Sequence, residues 1–167
     1  MKKILRTLAH IVFGSHKVEQ EIKRFAKGIC NKDILEIGSG KNSAKRFFDK
    51  TNRFVMSDIK PQAENCRRLD VLKLKETEKY DIIVCVNVLD DIFNYQKAVD
   101  NVHRALRKNG KLFFIVNGFY PLHDLPDDYW RFTEASLKKI FSKFSELNVR
   151  KIGIEHFPSY YVLEAGK

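Results

Sequence analysis

Glu36 sits near the end of a short apolar run, Asp33-Ile34-Leu35-Glu36-Ile37, and Gly38-Ser39-Gly40 follow at once. An apolar run that stops at two glycines reads as a buried strand entering a tight loop. There the missing Cβ lets the backbone approach a ligand closely. A carboxylate at that point would repel a pyrophosphate and suits a ligand with a cationic group, or with hydroxyls to donate. Three more polar residues stand at the ends of later runs: Asp58 after Arg53–Ser57, Asp70 after Arg67-Arg68-Leu69, and Asn87 within Tyr80–Val88. Each alone reads as a turn or cap residue. Together they mark four successive strand ends, and a carboxylate about twenty residues after the glycine loop is placed to take both hydroxyls of a ribose.

The second stretch with chemistry is Tyr120-Pro-Leu-His-Asp-Leu-Pro-Asp-Asp-Tyr-Trp-Arg-Phe-Thr133. His123 is the best general-base candidate, because an unperturbed imidazole titrates near neutrality, and Asp124 is the next. Tyr129 and Trp130 would wall a substrate pocket by stacking on a sugar or aromatic ring. Arg131 would hold a phosphate or carboxylate, either on the substrate or within the protein. The same residues also suit plain packing of the loop onto the sheet, with Thr133 capping the next helix.

The elements that must position these groups follow from periodicity. Ile4, Leu8, Ile11 and Val12 share one helical face, and Val18, Ile22, Phe25 and Ile29 share another. Strands are expected at Asp33, at 53–57, 67–71, 80–88 and 111–117, and then at 147–154 and 160–164. A short helix is expected over 43–50, and another over 95–108 ended by Asn109-Gly110. A further helix is opened by Thr133. Near-continuous hydrophobicity over 80–88 marks a central parallel strand covered on both faces. The last two strands are joined too closely to be parallel. The order predicts an α/β three-layer sandwich whose seven-stranded sheet is mostly parallel, with an antiparallel C-terminal strand.

The 167 residues suit one domain with a substantial core. Cys30, Cys66 and Cys85 lack metal-ligand spacing, so no metal is expected and a reducing, cytoplasmic setting is. The net charge of +10 is uneven: residues 1–32 carry eight Lys/Arg against Glu19 and Glu21, the rest 23 basic against 19 acidic residues. Residues 1–30 therefore read as a basic helical extension. It would serve as a lid over the site, as a contact with anionic lipid at the inner membrane face, or as a contact with RNA.

Leu35-Glu36-Ile37-Gly38-Ser39-Gly40, Ser57-Asp58, Leu69-Asp70-Val71, Val86-Asn87-Val88-Leu89 and Leu106–Leu112 together resemble the class I S-adenosylmethionine-dependent methyltransferases, most of all the type 11 group, over residues 31–167. The resemblance implies a Rossmann-like domain binding S-adenosylmethionine (SAM). Glu36, Gly38 and Gly40 would meet its methionine part and Asp58 its ribose. Asp70 and Val71 would meet the adenine, and Asn87 would line the methyl side. It also implies methyl transfer to an oxygen, less often a nitrogen, of a small-molecule, glycan or lipid-linked acceptor. The alternatives are an RNA methyltransferase or a SAM-binding scaffold. Asp-Tyr-Trp-Arg-Phe-Thr is similar to a stretch common in bacterial members linked to surface glycans. The family often has a third glycine where Asn42 stands. Nicotinamide dinucleotides fit poorly, since their fingerprint needs a glycine where Ser43 stands.

Overall fold

The computed structural model describes residues 15–123 and 126–167. The expected helix over Ile4–Val12 and the candidate base Asp124 lie outside the described residues. Helix α1 (Ser15–Ala26) precedes strands β1 (Asp33–Ile37), β2 (Arg53–Asp58), β3 (Arg67–Arg68) and β4 (Tyr80–Val86). Helix α2 (Tyr95–Ala105), β5 (Leu106–Asn117), α3 (Glu134–Ile140), β6 (Ser145–Ile154) and β7 (Phe157–Gly166) complete the chain. The seven strands form one sheet in the order β3-β2-β1-β4-β5-β7-β6. Pairing is parallel from β3 to β5, and β7 runs antiparallel to both β5 and β6. The reversed strand is the C-terminal one, as expected, but it lies one place in from the rim, with β6 outside it.

Two apolar faces explain why the central strands lack polar alternation. Ile34, Ile82, Val84, Phe113 and Ile115 point to the side covered by Val18, Ile22 and Phe25 of α1. Their neighbours Leu35, Ile83, Cys85, Leu112 and Phe114 point to the side covered by Val99 and Val102 of α2 and Leu137 of α3. Successive side chains of a strand alternate faces, so a strand between two helical layers must be apolar at every position. Each such side chain, fully buried, contributes about 1.5–3 kcal/mol. Phe25 stacks on Phe113 at 4.5 Å between centroids, which fixes α1 to the sheet.

Several boundaries differ from the sequence reading. Helix α2 stops at Ala105, and Asn109-Gly110 lies inside β5, where Tyr80 pairs with Leu106 but Ile82 already pairs with Lys111. Asn109 adopts φ +62°, and its N–H donates to the carbonyl of Lys167, so this pair forms a bulge, not a helix end. The helix expected over 43–50 is a 3₁₀ turn, Ala44–Phe47. The connection from β2 to β3 carries no helix, and β3 stops at Arg68. Asp70 then caps a 3₁₀ turn at Val71–Lys73.

Candidate active site at the strand ends

β1 and β4 are adjacent in space although two strands separate them in sequence, so the strand order reverses between them. Crevices outside such a switch point are where open α/β sheets bind ligands. β1 delivers Glu36 there, buried at 4% exposure. Its carboxylate accepts hydrogen bonds from the hydroxyl of Ser43 and from the N–H of Ala44 at 2.6 Å. Burial pushes the Glu36 carboxyl above its ordinary value, and those two bonds oppose the shift.

The glycine loop is tied to β2. The N–H groups of Gly38 and Ser39 both donate to the carbonyl of Ser57, at 2.8 and 3.0 Å. Gly40 donates to Asp58 Oδ2 at 3.0 Å, while Asp58 Oδ1 accepts from the N–H of Lys60 at 2.8 Å. Asp58 therefore shapes the loop and keeps further acceptor lone pairs at the rim. Gly38 has φ +74°, and a Cβ there would stand 2.1 Å from Val88 Cγ2. Above the loop opens a cavity of ≈ 210 Å³, lined by Ile22, Glu36, Gly38, Ser39, Gly40, Lys41, Asn42, Ala44 and Val86. Helix α1 thus supplies one wall through Ile22.

Asn87, directly after Val86, adopts φ +53°. Its Oδ1 is buried with no hydrogen-bond partner among the described residues, as are Asp90 Oδ1 and Asn117 Oδ1. Acceptors left without donors at the ends of β4 and β5 are what a cationic or donor-rich ligand would satisfy. Asp70 follows the end of β3 by two residues. Its Oδ1 accepts from the N–H of Leu72 at 2.9 Å and its Oδ2 lies 3.6 Å from Lys73 Nζ, so the carboxylate is used as a turn cap. Val71 is buried in the core, and its carbonyl accepts from Asn101 Nδ2 at 2.9 Å.

The 118–132 loop closes over the far side of the rim. The carbonyl of Asp90 accepts from the N–H groups of Tyr129 and Trp130, at 3.0 and 3.1 Å. His123 Nε2 lies 3.3 Å from Asp90 Oδ2 and 3.7 Å from Asp91 Oδ1, and Nδ1 faces Asp128 Oδ2 at 3.4 Å and the carbonyl of Pro121 at 3.2 Å. Both ring nitrogens are thus engaged by the fold in this conformation.

Of the two partners the sequence leaves open for Arg131, a substrate anion or a carboxylate of the protein, the second is present here. The Arg131 guanidinium grips Asp128 through two bonds, at 2.6 and 2.8 Å, and donates to the carbonyls of Tyr120, Pro121 and Trp130. That grip holds the Asp128 carboxyl at about 2. The indole N–H of Trp130 donates to the carbonyl of Ile92 at 3.1 Å, and the ring packs edge-on to Tyr95. Tyr129 stays 43% exposed beside Phe93, which is 69% exposed. The two rings meet edge to face and leave an exposed aromatic surface beside the loop.

A methyltransferase domain family model matches residues 8–152. The chain belongs to that family. An uncharacterised protein of Methanocaldococcus jannaschii is 27% identical over 118 residues, which is 62% of this chain and 50% of that one. The chain therefore spans half the length of that curated relative. Among solved structures, the 1,6-didemethyltoxoflavin-N1-methyltransferase of Burkholderia thailandensis, bound to its substrate and S-adenosylhomocysteine, has a TM-score of 0.72 at 15% identity. That likeness covers 99% of this chain and 88% of the other. The CurJ carbon methyltransferase gives 0.69 at 17% identity, over 89% of this chain and 52% of that one. Both likenesses show that this methyltransferase domain shares their fold.

Sequence reasoning passed over Asp90 and Asn117, which are 0% and 1% exposed. The signal for Asn117 was present, since it is a polar residue ending an apolar run, like Asp58. The pocket wall contributed by Ile22 had no such signal.

Proposed function

We propose that the chain is a SAM-dependent methyltransferase acting on an oxygen or nitrogen of a small-molecule or glycan acceptor. The observation that carries this reading is the floor of the glycine-loop cavity. There a buried carboxylate and a glycine whose Cβ Val88 would exclude line the cavity, and the unpartnered acceptor of Asn87 directly follows Val86 of its wall. These groups fit a ligand that is cationic at one end and hydroxylated at the other. Glu36 and Asn87 would face the methionine portion, Asp58 the ribose, and Asp70 and Val71 the adenine edge.

Bound SAM supplies a methyl group already activated on sulfur. The chain's own contribution is to hold and align it, and alignment alone removes a large part of the barrier of a bimolecular transfer. Phe93 and Tyr129 offer a flat apolar surface on which a sugar or aromatic ring would stack. Asp90 is tied to this surface, since its carbonyl accepts from the N–H of Tyr129, and His123 lies beside Asp90. His123, or Asp124 beside it, would take the acceptor's proton once the loop presents a free ring nitrogen.

Titration calorimetry with SAM and S-adenosylhomocysteine, with a nicotinamide dinucleotide as control, tests the reading. Saturable binding of the first two and none of the control is expected. Asp58→Ala should weaken SAM by about 1–3 kcal/mol, through the lost ribose bonds and a loosened Gly40. Folded protein that binds none of these ligands would overturn the proposal.

A further inference from the structure

His123, Asp90, Asp91 and Asp128 form a cluster that lies outside the lining of the glycine-loop cavity. One ligand-type atom from each lies within 4.8 Å of all the others. Bonds of about 2.0–2.4 Å from oxygen or imidazole nitrogen put ligands on opposite sides of one ion up to about 4.8 Å apart. The cluster thus has the span of a single coordination sphere. None of its four members is exposed, and the Asp90 side chain has no solvent contact at all.

Acidic residues gathered at a rim prove nothing alone, but two further observations point to a ligand. Asp90 Oδ1 is buried with no hydrogen-bond partner among the described residues. So is Oδ1 of Asn117, which is outside the acidic set and whose amide reaches Asp90 Oδ2. Unsatisfied groups here are acceptors only, so a missing donor or a cation would complete them. The second observation is the orientation of His123. With Nε2 turned toward Asp90 and Asp91, its Nδ1 faces Asp128. A metal-bound histidine usually directs its other ring nitrogen at such a carboxylate. Asp128 is itself fixed by Arg131 through two bonds.

The geometry points to a divalent cation site in which His123 Nε2 and the carboxylates of Asp90 and Asp91 are the ligands, while Asp128 and Asn117 orient them. Two ligand carboxylates match the charge of a divalent ion. One imidazole with two carboxylates suits a first-row ion, and Mn²⁺, which takes carboxylate oxygens and tolerates an imidazole, serves as its probe. The ion would pin the 118–132 loop to the end of β4, where Asp90 already holds it through its carbonyl. This inference does not depend on the methyltransferase reading, because it concerns binding alone.

The test uses the full chain, freed of metal by a chelator and titrated with Mn²⁺ under electron paramagnetic resonance, without SAM. One saturable site per chain is expected, with hyperfine coupling to a nitrogen nucleus from His123. His123→Ala and Asp91→Asn should each weaken it at least tenfold, and Asp127→Asn should leave it unchanged. Asp127 bonds Tyr129 and is not among the ligands. Absence of saturable binding, or of nitrogen coupling in the unaltered protein, would overturn the site. So would binding that folded His123→Ala retains in full. The coupling is read in the unaltered chain, so the result stands even if a variant fails to fold.

Discussion

Gly38 is the least replaceable residue of the site, for two separable reasons. Its φ of +74° belongs to the left-handed region that a Cβ disfavours, at about 1–3 kcal/mol. Its missing Cβ also leaves room for Val88, whose Cγ2 would otherwise stand 2.1 Å away. Gly38→Ala should therefore lower stability and displace Val88, the residue next to Asn87. Val88→Ala in the same chain should recover the steric part and leave the backbone part. SAM titration and urea midpoints on the two single variants and the double variant separate these contributions. A Gly38→Ala protein that binds SAM as tightly as the parent would place the ligand elsewhere. Glu36 shows the limit of reading a residue by its type alone. The sequence marks it as facing a ligand, yet two of its acceptor positions hold Ser43 and Ala44, so it also builds the turn that walls the cavity.

Among the elements, the loop between β5 and α3 is where the sequence leaves most open. Arg131 reads either as a grip on a substrate anion or as the partner of a carboxylate within the protein, and the chain curls so that Asp128 and Arg131 satisfy each other. No local pattern announces that curl. It depends on the carbonyls of Tyr120, Pro121 and Trp130 converging on one guanidinium. Arg131→Ala would remove this donor from those carbonyls and leave Asp128 with the backbone N–H of His123 as its hydrogen-bond donor. We expect a loss of about 2–3 kcal/mol, discounted because the guanidinium is partly exposed, together with protease cleavage within 118–132. An unchanged urea midpoint would mean that solvent already supports the loop. By contrast, the strand ends at Glu36, Asp58 and Asn87 were legible, because an apolar run that stops at a polar residue is a local signal. The bulge at Asn109-Gly110 was not. The same dipeptide ends helices, and what decides here is distant: Arg107 reaching Asp33 and Asp81, and the carbonyl of Lys167 reaching Asn109.

For the whole molecule, two sets of carboxyls set how stability changes with pH, and they act in opposite directions. Asp33, held by Arg53 and Arg107, and Asp128, held by Arg131, both titrate at about 2. Their unfolded values lie near 4, so in acid the unfolded chain takes up protons that the native one refuses. The stability they contribute is complete above about pH 4 and is lost as pH falls toward 2. For Asp128 it is on the order of 1–2 kcal/mol. Glu36 and Asp90 are pushed upward by burial, so the native chain keeps protons that the unfolded chain releases. Their contribution is complete below the ordinary carboxyl value and is lost as pH rises through the raised ones. Metal-free protein should therefore show a urea midpoint that climbs steeply from pH 2 to about 4 and then declines. The chain's net charge of +10 steepens the acid limb, since protonating carboxylates adds to repulsion already present. Asp128→Asn should flatten the climb and Glu36→Gln the decline, each leaving the other limb in place. A midpoint of the metal-free protein that stays level above pH 4 would mean that water already satisfies the buried carboxyls of Glu36 and Asp90.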